Sequence, residues 1–316
     1  MKKALKVISL MLVAVLMVMS FAACGSKDDT ATGSDTSKEA KTPAVKVIDV
    51  NLTDEEYAFG VDKNQPELLE KVNSFITEIK ANGTFDAICN KYFAGGTPEV
   101  IKSAAHASTK DQQGIDSGGD TEITSNSNKD QLVVATNAAF EPFEYTNGDG
   151  YSGIDMEIAK ALADYLGKEL VIQNMDFDSV CLSVGQHKCD VAMAGLTVKA
   201  EREEYVTFST PYYKASQRLV VKGSDTKFDG CTDAASVEAI LNTLDSSVKI
   251  GVQNGTTGQL YCEGDAEMEF PGLKAVCVGY KSGSLAVQDM INGNINYVII
   301  DAAPAACIAQ SINEVN

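Results

Sequence analysis

Three rhythms of apolar and polar positions run along the chain. "VKVIDV" (residues 45–50) alternates and predicts a strand, and "EEYAFGV" (55–61) predicts a second. Leu68, Leu69, Val72, Phe75, Ile76 and Ile79 then recur at helical spacing, with Asn64 as the expected N-cap, Pro66 in the first turn and Gly83 closing the helix. Phe85, Ile88, Cys89 and Tyr92 form a second short apolar face. From Leu132 onward strands and helices take turns: "LVVAT", "DMEIAKALADYLG", "ELVIQNM", "FDSVCLSVGQ", "CDVAMAG", and later "VKIGVQ", "TTGQLYC", "LKAVCVGY", "GSLAVQDMIN", "INYVII" and "DAAPAACIAQSI". Such alternation predicts an α/β fold with parallel sheets. The strands are too many for one small sheet, so two lobes are expected.

Two stretches lack either rhythm. Residues 25–43 are polar and low in complexity, the composition of a flexible tether. Residues 94–131 carry mostly Gly, Ser, Thr, Asp and Lys, and so long a structureless segment reads as a linker. The island between them, 44–93, is patterned like part of a core yet too small to bury its apolar surface alone, so it belongs with the rest of the chain.

The first residues change the picture of where the protein works. Three lysines precede an apolar run from Val7 to Ala23, the layout of a secretory signal over residues 1–23. "SFAAC" resembles a lipobox, which implies cleavage before Cys24 and lipidation of that cysteine, hence an extracytoplasmic protein anchored to the membrane. A plain transmembrane anchor is the alternative.

The formal net charge of −18 argues against a nucleic-acid partner, which needs clustered Lys and Arg. Of eight cysteines, Cys24 is assigned to the lipid, and seven cannot all pair within the chain. Cys262 with Cys277, or Cys181 with Cys189, fit disulfides in an exported protein; buried free thiols fit equally. No CxxC occurs and the histidines are His106 and His187, so neither a zinc site nor any other metal or cofactor is expected.

Open α/β sheets bind ligands at the carboxyl ends of their strands. Three such ends carry suggestive residues. In "AMAGLTVKAEREEY", Gly195 permits close approach, Thr197 offers a hydroxyl, and Arg202 a planar fork suited to a carboxylate. In "GVQNGTTGQLY", Gly255, Thr256 and Thr257 open a helix whose amides suit an anion. In "VIIDAAPAA", Asp301 is suited to an ammonium. Taken singly, Thr257 and Asp301 fit helix caps and Arg202 a surface pair with Glu201 or Glu203. Taken together they fit a receptor for one small zwitterion.

"GIDMEIAKALADYL" (153–166) resembles the signature of the polar amino-acid-binding family of extracellular solute-binding proteins that serve ABC importers. "ATNAAFEPFEY", "AMAGLTVKAER" with "FSTPYY", "GVQNGTTGQLY" and "DMINGNINYVIID" resemble that family's further blocks, in its order. The resemblance implies a two-lobed, type II periplasmic-binding-protein-like fold. In the family, a last strand, a crossover and a helical pair follow the block that ends here at Asn316; pieces of that kind stand instead at residues 46–93. The resemblance therefore implies a circular permutation: 44–93 as last strand of lobe 2, crossover and C-terminal helices of lobe 1; 94–131 joining the old termini; 132–221 as lobe 1; 222–316 as lobe 2. A linker of this length spans about 35 Å as a flexible coil, so it imposes no strain. Two remnants of tandem domains are the alternative.

Residue by residue, the resemblance implies that Phe140 packs on the ligand side chain, that Gly195 (through its carbonyl), Thr197 and Arg202 grip the ligand's backbone atoms from lobe 1, and that Thr257 meets its carboxylate and Asp301 its amine. Asn137 stands at a side-chain selectivity position where members for basic ligands tend to carry an acid, which implies a polar or neutral amino acid. Lys199, Leu182, Cys181 and Cys189 depart from the family's usual residues. A monomeric, non-enzymatic receptor handing its ligand to an ABC permease by hinge closure is the expectation. Two alternatives are an enzyme of the cyclohexadienyl dehydratase kind, with Glu141 as cleft acid, and a sensor acting through a signalling partner.

Overall fold

The computed structural model describes residues 42–106, 130–267 and 269–315, all within one compact unit, Thr42–Asn316. Cys24 and the signal lie outside the described residues. Among the described residues no helix is long and apolar enough to cross a membrane.

Two five-stranded sheets form two lobes. In lobe 1 the order is β10 (Val206–Phe208), β3 (Gly60–Asp62), β9 (Val191–Ala192), β4 (Gln131–Thr136), β8 (Glu169–Asn174), with β3 antiparallel to both its neighbours and the other four strands running in one direction. Helices α1 (Pro66–Ala81), α2 (Thr84–Phe93) and α3 (Ile154–Leu166) contribute to an apolar cluster that continues into lobe 2, and α4 (Val180–Gly185) to another. In lobe 2 the order is β1 (Val45–Val47), β12 (Gln217–Lys222), β15 (Tyr297–Asp301), β13 (Lys249–Gln253), β14 (Val276–Tyr280). Here α6 (Ala234–Leu241) and α7 (Thr257–Glu263) share one apolar cluster, while α8 (Gly283–Asn292) and α9 (Ala302–Val315) join the other.

The island of residues 44–93 is built into both lobes. Val45, Lys46 and Val47 pair antiparallel with Val220–Lys222 at the edge of lobe 2, and Val45 is completely buried. β3 lies between β10 and β9 in lobe 1, and α1 buries Leu68, Val72, Phe75, Ile76 and Ile79 against it, the stripe the periodicity predicts. Burying such a stripe contributes about 1.5–3 kcal/mol per large side chain, which explains why the segment docks instead of dangling.

Four local expectations shift. "EEYAFGV" is two strands, because the chain changes sheet at Ala58 and Phe59: β2 (Glu55–Tyr57) pairs with β11 (Tyr213–Ala215) in a two-stranded ribbon, and β3 enters lobe 1. The α1 N-cap is Gln65, while the Asn64 backbone N–H is held by Asp62. The stretch read as linker is docked in its first part: Ile101 is 3% exposed and bridges Tyr151, and Ala104 N–H donates to Leu170 O. Lobe 2 begins earlier than residue 222, since all of β12 belongs to its sheet.

Candidate functional site

The strand ends that carry the candidate residues face one another across the gap between the lobes. A narrow cleft, closed down to about 10 Å³ of free space, is lined by Phe140, Phe177, Gly195, Thr197, Arg202, Thr256, Thr257 and Asp301. Six of the seven predicted ligand residues are in that lining. The seventh, Asn137, sits beside it and ties the lobes together: its Oδ1 accepts from Gln253 Nε2 at 2.9 Å, and its Nδ2 donates to Met175 O. Larger cavities lie at the hinge (about 200 Å³, including Tyr57 and Arg218) and beside Arg202 (about 290 Å³). The small cleft brings Phe140, Gly195, Thr197 and Arg202 of lobe 1 together with Thr256, Thr257 and Asp301 of lobe 2.

On the lobe 1 wall, Gly195 follows β9 with φ +55°, a conformation that favours glycine, and a Cβ there would sit 2.9 Å from the Phe140 ring. Its N–H donates to Asp155 Oδ2 at 3.0 Å, which fixes the turn and leads the chain to Thr197. Arg202, in the short α5 (Ala200–Glu203), is 6% exposed. It donates through Nη1 to Thr197 O (2.8 Å) and through Nη2 to Gly255 O (3.0 Å) in the other lobe, and lies 5.3 Å from the Phe177 ring. The alternative, a surface residue paired with Glu201 or Glu203, does not describe this buried side chain, whose partners are the two carbonyls. Lys199, also buried, reaches across to Asp265 and Glu267 of lobe 2, both at 2.9 Å.

On the lobe 2 wall, Thr257 opens α7 and its Oγ1 donates to Thr197 Oγ1 at 3.1 Å. Asp301 ends β15, and its carboxyl accepts from the Tyr57 hydroxyl. Burial, with Glu55 nearby, pushes Asp301 up to about 7, against the pull of Tyr57 and Gln217. Burial also pushes Asp155 up to about 7, although Gly195 N–H and the Tyr212 hydroxyl favour its ionised form. Glu144, wholly buried with no hydrogen-bond partner for either oxygen among the described residues, is raised well above the carboxylate range by burial and by Asp155 and Asp301.

Sequence reasoning missed Glu55, Tyr57, Gln217, Gln253 and Phe177. For Glu55 and Tyr57 a signal existed, since strand alternation puts both on one face; the burial pattern of β2 is buried, exposed, buried. Glu141, the acid considered for catalysis, is exposed and is not in the cleft lining. Among the described residues no cluster of His, Cys, Asp and Glu could hold a metal. Cys262 and Cys277 are free thiols in hydrogen-bond contact, and Cys181 and Cys189 are free and buried.

The family described as bacterial extracellular solute-binding proteins, family 3, matches residues 10–95 and 132–299. The chain is 39% identical over 104 residues to the arginine-binding extracellular protein ArtP of Bacillus subtilis (33% of this chain, 41% of that protein). It is 25% identical over 175 residues to a cyclohexadienyl dehydratase of Pseudomonas aeruginosa (55% and 60%). Among solved structures, the arginine-bound form of a truncated ArgBP from T. maritima is 31% identical, covering 58% of this chain and 80% of that one with a TM-score of 0.49. The chain thus spans less than two thirds of the length of either curated relative.

Proposed function

Because the chain belongs to family 3 of the bacterial extracellular solute-binding proteins, we propose that it is an extracytoplasmic receptor for an L-α-amino acid. The observation that carries this reading is the placement of Arg202 and Asp301 on opposite walls of one small cleft, with Thr197 and Thr257 between them. A guanidinium and a carboxyl facing each other match the two charges of a zwitterion. The ligand carboxylate meets Arg202 and the first amides of α7, ahead of the Gln259 and Leu260 N–H groups that donate to Thr256 O. Its ammonium meets Asp301, the Gly195 carbonyl and Thr197, and its side chain lies on Phe140 towards Asn137. The walls already touch through Thr197–Thr257 and Arg202–Gly255, so the lobes part about the β2–β11 ribbon to admit the ligand and close again over it.

A polar or neutral side chain is favoured because Asn137 and Gln253, not an acid, meet at that end. Arginine is the second reading, favoured by the name of the relative from B. subtilis. A lipid on Cys24, delivery to an ABC permease, a monomeric state and a circularly permuted chain order complete the proposal. The docking of β1 on β12 and of β3 between β10 and β9 supports the last of these. An enzymatic role is disfavoured by the exposure of Glu141.

Calorimetry of the purified chain against the twenty amino acids and cystine tests the reading. Four or five charge-assisted contacts at about 1.5–3 kcal/mol each, less the costs of immobilisation and closure, leave roughly 8 kcal/mol, a micromolar Kd. No binding by a cooperatively melting protein refutes it; turnover of a bound amino or keto acid turns it towards an enzyme.

A further inference from the structure

Thr197 has one proton to give, and the hinge takes it. Its Oγ1 donates to Glu55 Oε2 at 2.6 Å, the usual distance for a hydroxyl on a carboxylate, and both side chains are buried. Glu55 comes from β2, in the hinge ribbon, and also accepts from Thr53 Oγ1 (2.5 Å) and Gln217 Nε2 (3.1 Å). All three contacts run towards the acid, so both of its oxygens serve as acceptors. From the far side, Thr257 Oγ1 donates to Thr197 Oγ1. A hydroxyl carries one donor and two acceptor lone pairs. With its proton committed to Glu55, Thr197 has only acceptor capacity left for the cleft.

We propose that Glu55 is a positioning residue that locks Thr197 as an acceptor and thereby makes the clamp selective for an α-ammonium over an α-hydroxyl. The proposal rests on the amino-acid reading above, which brings three acceptors together at the ligand nitrogen: Asp301, the Gly195 carbonyl and Thr197 Oγ1. An ammonium has three N–H donors and satisfies all of them. A 2-hydroxy acid has one O–H, so it leaves two acceptors facing its lone pairs. If Thr197 were free to turn its proton inward, it would donate to the hydroxyl oxygen and remove part of that conflict. Glu55 forbids the turn. The ligand class that follows is α-amino acids, with 2-hydroxy acids of the same side chain excluded.

The test measures Kd at pH 8 for L-glutamine and L-arginine, each against its 2-hydroxy analogue, and takes the ratio of hydroxy to amino Kd. Glu55→Leu removes the acceptor and is expected to lower that ratio about tenfold, the worth of one charge-assisted hydrogen bond. Glu55→Gln keeps an oxygen that can accept from Thr197 and is expected to restore most of the ratio. In a Thr197→Val background, Glu55→Leu is expected to change nothing further. Glu55→Met takes the place of Glu55→Leu if the latter fails to melt cooperatively. An unchanged ratio in Glu55→Leu, with both Kd values raised alike, makes Glu55 a merely structural residue and overturns the proposal. A drop that persists in Thr197→Val overturns it too, because the acid then acts through its charge and not through Thr197. If none of the twenty amino acids binds the unaltered chain, the underlying reading fails and this one with it.

Discussion

Lowering the pH from 8 to 5 perturbs two buried carboxyls, Asp155 behind Gly195 and Asp301 in the cleft, of which Asp301 is the one assigned to the ligand. Asp301 sits buried beside Glu55 and titrates near 7 instead of the usual 3.8. On the proposed reading the ligand ammonium needs it ionised, so the apparent Kd rises by the factor 1 + 10^(pKa − pH). With Asp301 near 7 that factor is close to one at pH 8 and about a hundred at pH 5, worth roughly 3 kcal/mol. Folding stability runs the opposite way. The unfolded chain releases these protons near 4, whereas Asp301 and Asp155 hold theirs to about 7. Between those values the folded state binds more protons, so stability falls as pH rises across that window, and is largest at its acidic end. Calorimetric titration from pH 5 to 8 in buffers of differing ionisation heat reads both the Kd and the proton released, expected to approach one per ligand near pH 6. Asp301→Asn is expected to bind weakly and to lose most of the slope. A Kd that varies less than threefold over the range, or binding that takes up protons, would refute the assignment of Asp301 to the ammonium.

Arg202→Ala removes two charge-assisted donations, one of them across the cleft to Gly255 O, and the proposed carboxylate contact; a loss of affinity of at least a hundredfold is expected by calorimetry, with a cooperative melt retained. Lys199→Ala cuts the link from lobe 1 to Asp265 and Glu267; ligand release measured by stopped flow is expected to quicken several-fold, and an unchanged rate would make the pair incidental. Gly195→Ala forces a Cβ to 2.9 Å from Phe140 at φ +55°; a drop of about 1–3 kcal/mol in stability and a displaced Phe140 are expected from chemical denaturation and ring NMR shifts.

Much of this architecture was legible because local pattern and tertiary demand agree. The stripe from Leu68 to Ile79 needs one apolar neighbour and finds it in lobe 1. The strand-end residues Gly195, Thr257 and Asp301 gather because parallel strands bring their carboxyl ends to one side. What was not legible depends on residues far apart in sequence. Glu55 looks like a solvated strand residue until Thr197 and Gln217, more than 140 positions away, enclose it. Gln253 and Asn137 gain meaning only as a pair. Residues 99–106 read as linker because one large apolar side chain, Ile101, carries little pattern by itself, yet it fills a groove beside Tyr151.

The two crossovers between the lobes are not independent strings. Glu55–Tyr57 and Tyr213–Ala215 are zipped side by side by an antiparallel ladder. A ribbon of two strands flexes like a leaf spring: it bends readily out of its own plane and resists shear within it. For the proposed closing motion such a ribbon would leave the lobes one soft axis, so that opening and closing would retrace the same arc. Because Glu55 and Tyr57 ride on that spring while contacting Thr197 and Asp301, curvature of the hinge and alignment of the clamp are set by the same few peptide units.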